Sequence, residues 1–189
     1  MTDGLVLACM MPTYDVVLTA QVVVSADPAT TFRAARELDL LTVHSPILDA
    51  AMWIRGLPAR LTGRAVPVPP RLVIADGGLP GWLVLGESAH EIAFGAVGRF
   101  WTPIITWHDV TRDDFAQFDE PGWGKIAANF TVTPHGTGTL LRYECRTATT
   151  DPVSRRRFRR YWWLVRPFVG HIMRAALATI EDNSYRPSP

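Results

Sequence analysis

The sequence predicts an α+β fold in which a curved antiparallel sheet wraps a long C-terminal helix and leaves an apolar space between them. Two observations carry this. From Gly81 to Thr149, short runs rich in β-branched and aromatic residues are separated by turn signals at hairpin spacing. From Pro152 to about Asn183, apolar residues recur every three or four positions without interruption.

The first element is a strand. Residues 15–25 read DVVLTAQVVVS, with Val16, Leu18, Ala20, Val22 and Val24 on one wholly apolar face and Thr19 and Gln21 on the other. Asp27-Pro28 ends it and starts a helix over about 28–40, with Phe32, Ala35 and Leu38 inward. A second helix is expected from Ser45-Pro46, through Ile47, Ala50, Ala51 and Ile54, to Gly56. Residues 63–80, with Pro67, Pro69, Pro70, Pro80 and Gly77-Gly78, read as a loop.

Strands follow at 81–87, 91–101, 104–110, 123–133 and 139–149. Ile92, Phe94, Ala96 and Phe100 should face inward, as should Ile126, Ala128, Phe130 and Val132. Leu141, Tyr143 and Cys145 join them because Arg142, Glu144 and Arg146 share the opposite face. Strands 81–87 and 104–110 have no clear inner parity. In the last element Asp151 caps a helix with Pro152 at its first position. Phe158, Trp162, Val165, Val169, Ile172, Ala176 and Ile180 form its apolar stripe, and Arg155, Arg156, Arg159, Arg160, Arg166 and Arg174 lie on the opposite side. Pro167 should kink it.

Composition bounds the function. The 189 residues are enough for one domain with a real core, expected over 13–184, with 1–12 a disordered extension and 185–189 a tail. A net charge of +1 supplies no global field toward nucleic acid. Cys9 and Cys145 are too few for a disulfide framework, and the five histidines are scattered singly. No metal or cofactor is therefore expected, and a reducing cytoplasm is the expected location. Residues 5–11 lack the basic flank of a signal peptide, and no apolar run is long enough to span a membrane.

Strand, two helices, an antiparallel run, then one long helix is the element order of the helix-grip fold. Over about residues 14–183 the chain resembles the SRPBCC superfamily, which includes START domains, polyketide cyclases and birch-pollen-allergen-like proteins. WIRGLPAR (53–60), GAVGRFW (95–101), FDEPGWGKIAANF (118–130) and DPVSRRRFRRYWWLVRPF (151–168) resemble an uncharacterised bacterial subgroup. The resemblance implies binding of an apolar small molecule, such as a lipid, isoprenoid or polyketide-like ring system. Phe94, Phe100, Phe130, Tyr143, Trp162 and Phe168 would supply contact area, with His108 or Tyr143 orienting the ligand.

Other motifs carry less. Gly136-Thr137-Gly138 lies between two strands and reads as a hairpin turn. Ser88 and His90 stand in no GxSxG elbow. Asp113, Asp114, Asp119 and Glu120 do not match a calcium loop. Acid–base chemistry of a cyclase or dehydratase, the rival reading, would fall to His108, Asp109, Glu87 or Tyr143, depending on which faces the cavity. No catalytic residue is assigned. Five arginines between Arg155 and Arg160 oppose the dipole of the helix they begin. They are read as pairing with the acidic stretch 113–120. The alternative is an interaction module that touches an anionic partner or membrane surface with this face. Nucleic acid is not expected, and the oligomeric state is open.

Overall fold

The computed structural model describes residues 5–39 and 81–185. In chain order these form α1 (Val6–Met10), β1 (Val16–Val24), α2 (Pro28–Arg36), β2 (Trp82–Glu87), β3 (Glu91–Arg99), β4 (Thr106–His108), α3 (Arg112–Phe115), β5 (Gly124–His135), β6 (Gly138–Thr149) and α4 (Pro152–Ser184). The expected helix at 45–56 and loop at 63–80 lie outside the described residues.

Among the described residues, six antiparallel strands form one sheet in the order β1-β6-β5-β3-β2, with β4 also on β3. β5 runs along one edge of β3 from Glu91 to Gly98, and β2 takes the other edge only as far as Ala96. β4 fills the edge that β2 leaves, pairing His108 with Val97 and Trp107 with Gly98. The sheet and the 33-residue α4 make this a helix-grip architecture.

Alternation delivers the inner face as expected. Ile92, Phe94, Ala128, Phe130, Val132 and Leu141 pack against Ala35 and Leu38 of the α2 region and Ala176, Leu177 and Ile180 of α4. Both expected caps form. Asp27 accepts from the backbone N–H groups of Ala29 and Thr30, and Asp151 from those of Val153 and Ser154. Asp151 also accepts from Gly122 N–H at 2.7 Å, tying the start of α4 to the loop before β5.

The outer face differs from expectation. Residues 5–12, anticipated as part of a loose extension, include a helix whose Leu7 is buried, followed by a buried Met11. Both pack with Leu85, Ala93, Val97, Phe115 and Ala127 in a second core behind the sheet. The physical reason is distant in sequence. Glu91, buried beneath α1, accepts from Val6 N–H at 2.6 Å, Leu7 N–H at 3.1 Å and the Asn129 amide at 2.6 Å. At the other end Arg146 donates to the Met11 carbonyl at 2.8 Å. Anion at the N-terminus and cation at the C-terminus suit the helix dipole. Arg146 and Arg142 also bind the buried Glu144.

Candidate functional site

A groove of about 830 Å³ opens between β1 and the N-terminal two-thirds of α4. Alternation along β1 points Val16 and Leu18 into it. From α4, Arg155, Arg159, Trp162, Arg166 and Gly170 advance by four, three, four and four residues, so helical geometry sets them on one side. Trp163, Pro167 and Arg174 complete the described helical wall.

Asp15 builds the rim. It accepts from the Thr149 N–H at 2.8 Å and the Thr149 hydroxyl at 2.5 Å, closing β1 onto the end of β6. Its other oxygen meets Arg155 Nε at 2.7 Å. The arginine run therefore engages β1, and its expected pairing with residues 113–120 does not occur among the described residues. Asp114 bonds Thr111 instead, and Glu120 lies 3.3 Å from His108. Arg159, Arg166 and Arg174 carry no ion pair among the described residues.

Inward of the groove, Leu18 pairs across the ladder with Cys145, and Ala20 with Tyr143. Both side chains keep some accessible surface. Yet burial raises the Tyr143 phenol far above its ordinary value, and burial, with Glu144 adding to it, pushes the Cys145 thiol up to about 12. On α4, Val165, Val169 and Ile172 of the expected stripe are likewise only partly covered, whereas Phe158, Ala176 and Ile180 are buried.

The expected ligand contacts separate into five places. Phe94, Phe130 and Tyr143 come together on the inner face, with ring centroids 4.4–6.3 Å apart. Phe94 and Phe130 are buried core residues; Tyr143 keeps open surface. Phe100 sits at the far end of the sheet against Trp101 and Trp107. Trp162 stacks on Phe158 and lines the groove. Phe168 is 42% exposed on the outer side of α4. His108 is on the outer face of the sheet. Its partner Val97 belongs to the second core, and its ring packs edge-on against Phe118 and Trp123, each at 4.9 Å. Trp107 takes the inner side, its ring against Gly81, whose φ of 76° and missing Cβ allow that approach.

Sequence reading missed Asp15, Val16 and Leu18 as one wall of a site, and set Arg159, Arg166 and Arg174 on the side of α4 opposite Trp162, whereas all four line the groove. The available signal was that Pro167 and Gly170, poor helix formers, stand within the same helix as these arginines. Among the described residues, no cluster of three or more His, Cys, Asp or Glu could hold a metal ion, and no helix is long and apolar enough to cross a membrane.

No family model matches the chain, and no curated protein matches it. Among solved structures, the crystal structure of TTHA0849 from Thermus thermophilus is similar at 11% identity and a TM-score of 0.30, over 89% of this chain and 97% of that one. That of Ara h 8.0201 is similar at 9% identity and 0.28, over 88% and 98%. At those scores the likeness carries no argument.

Proposed function

We propose that this chain is an SRPBCC-type protein that binds an apolar small molecule, a lipid, isoprenoid or polyketide-like ring system, between the sheet and α4. One observation carries the reading. The groove between β1 and α4 is walled by Val16 and Leu18 on the strand and Trp162 and Pro167 on the helix, an apolar surface left open between sheet and helix. Tyr143 and Cys145 lie inward of Leu18, partly buried against the inner core. A volume of about 830 Å³ lies in the range of small-molecule sites.

The ligand contacts follow from placement. Tyr143 and Trp162 keep the role expected of them, joined by Leu18 and Cys145. Phe94 and Phe130 act from behind, by holding Tyr143. Acid–base chemistry gains no support from the geometry. Of its four candidate groups, Tyr143 faces the core; Glu87 shares the face of its cross-strand partner Ile92 but sits exposed at the sheet edge, paired with Arg36; His108 binds Glu120 on the outer face, and Asp109 is exposed.

Titration with a neutral apolar fluorophore, N-phenyl-1-naphthylamine, tests the reading. Saturable one-site binding is expected, with Leu18→Trp weakening it by filling the mouth. Absence of saturable binding, together with no apolar compound extractable from purified protein by native mass spectrometry, overturns it.

A further inference from the structure

We propose that the groove on α4 selects anionic amphiphiles, holding a carboxylate or phosphate head between Arg166 and Arg174 while the apolar body passes inward over Leu18. The inference rests on the reading that the hollow takes an apolar molecule, and adds the class of head group that such a molecule carries.

Charge is the first support. The described lining holds four arginines and one aspartate, a local excess of three positive charges in a chain whose net charge is +1. Asp15 answers Arg155 alone. Arg159, Arg166 and Arg174 are left with no acidic partner among the described residues. Like charges gathered in one concave surface repel, and an anion entering the groove relieves all of them together.

Shape is the second support. Arg166 and Arg174 stand one helical turn to either side of Gly170, which places the three along one line of the helix. Gly170 has no side chain to fill the interval, and Arg174 closes over it: a Cβ at Gly170 would lie 3.7 Å from Arg174 Nη1. A glycine in a helix interior costs about 1 kcal/mol relative to alanine. Here the gap it leaves gives an oxyanion access to two guanidiniums whose planar donors suit carboxylate and phosphate. The same groove presents Trp162 and Leu18 beside the gap, so head and body are served by adjoining surfaces.

The test compares laurate, dodecyl phosphate and dodecanol as competitors of N-phenyl-1-naphthylamine at about 150 mM salt, where the screening length is about 8 Å. Wild-type protein should bind both anions at least tenfold more tightly than dodecanol. Arg166→Gln with Arg174→Gln should remove that difference and leave dodecanol binding unchanged. The exposed pair Arg156→Gln with Arg160→Gln, outside the groove lining, should preserve it. Equal affinity for laurate and dodecanol in the wild type overturns the head-group clamp while the apolar-binding reading stands. Failure of every competitor and of the fluorophore sinks that reading itself. Equal loss in the control pair shows general electrostatics and overturns the clamp. So does competition by inorganic phosphate as strong as by dodecyl phosphate, or binding to acidic vesicles without binding of monomeric laurate.

Discussion

Replacing Glu91 with alanine isolates what fastens α1 to the sheet. The carboxylate is 1% exposed and accepts three hydrogen bonds, from Val6 N–H, Leu7 N–H and the Asn129 amide. The Leu7 and Asn129 bonds are buried. Stranding a buried donor costs about 1–3 kcal/mol, so losing both predicts about 2–6 kcal/mol of destabilisation. Urea unfolding of the full chain measures it. The same substitution in a chain lacking residues 1–12 should cost less by at least about 1 kcal/mol, because two of the three donors are then gone already. Glu87→Ala, at an exposed pair with Arg36, should cost under about 1 kcal/mol. Equal losses at Glu91 with and without residues 1–12, or a loss matching that of Glu87, would refute the anchoring argument.

Three further outcomes follow from particular groups. At pH 8 a thiol pushed up to about 12 is ionised in about one molecule in ten thousand, so iodoacetamide should modify exposed Cys9 while Cys145 stays free by mass spectrometry. Comparable labelling rates would show a water-filled hollow. The Asp151 carboxyl is held well below its ordinary 3.8, first by the Ser154 hydroxyl and then by backbone N–H groups of Ser154, Gly122 and Val153. Its contribution is therefore present above pH 3.8 and lost as pH falls through the lower folded value. The melting-temperature gap between wild type and Asp151→Ala should close only at acid pH, and a gap independent of pH contradicts the assignment. Ile180→Ala should destabilise by about 2–5 kcal/mol and Arg156→Ala by under about 1 kcal/mol, since the first is buried and the second exposed. Similar losses in urea unfolding would mean that the faces of α4 are misassigned.

Local chemistry made much of this fold legible. Asp27-Pro28 and Asp151-Pro152 name two helix starts because a cap acts within three residues of itself. Strand parity named the inner face of β5 and β6 because charge appeared on one side only, and that of β1 because Thr19 and Gln21 share one side. The second core was hidden for the opposite reason. Apart from Leu85 its sheet residues, Ala93, Val97 and Ala127, are small, and what covers them includes a five-residue helix whose partners, Glu91 and Arg146, are distant in sequence. His108 could not be placed by parity, since both faces of its strand carried one ionisable group. Register decides it, through the pairing with Val97. The groove was unreadable because periodicity divides a helix into faces without saying which face meets another element. Asp15 and Arg155, at opposite ends of the chain, join only once β1 and α4 lie side by side.

That union explains how α4 tolerates five arginines in its first turns. Cations there oppose the macrodipole, at about 0.3–1 kcal/mol each when exposed. Two aspartates stand against them: Asp151 as the cap, and Asp15 delivered by the sheet to Arg155. Phe158, buried against Trp101 and stacked on Trp162, fixes the same end by packing. The far end is held in the core by Ala176, Leu177 and Ile180. Between these attachments Val165, Val169 and Gly170 are only partly covered. A helix pinned at both ends and loosely packed in its middle can present Arg166 and Arg174 to a groove without weakening the contacts that keep it in the sheet.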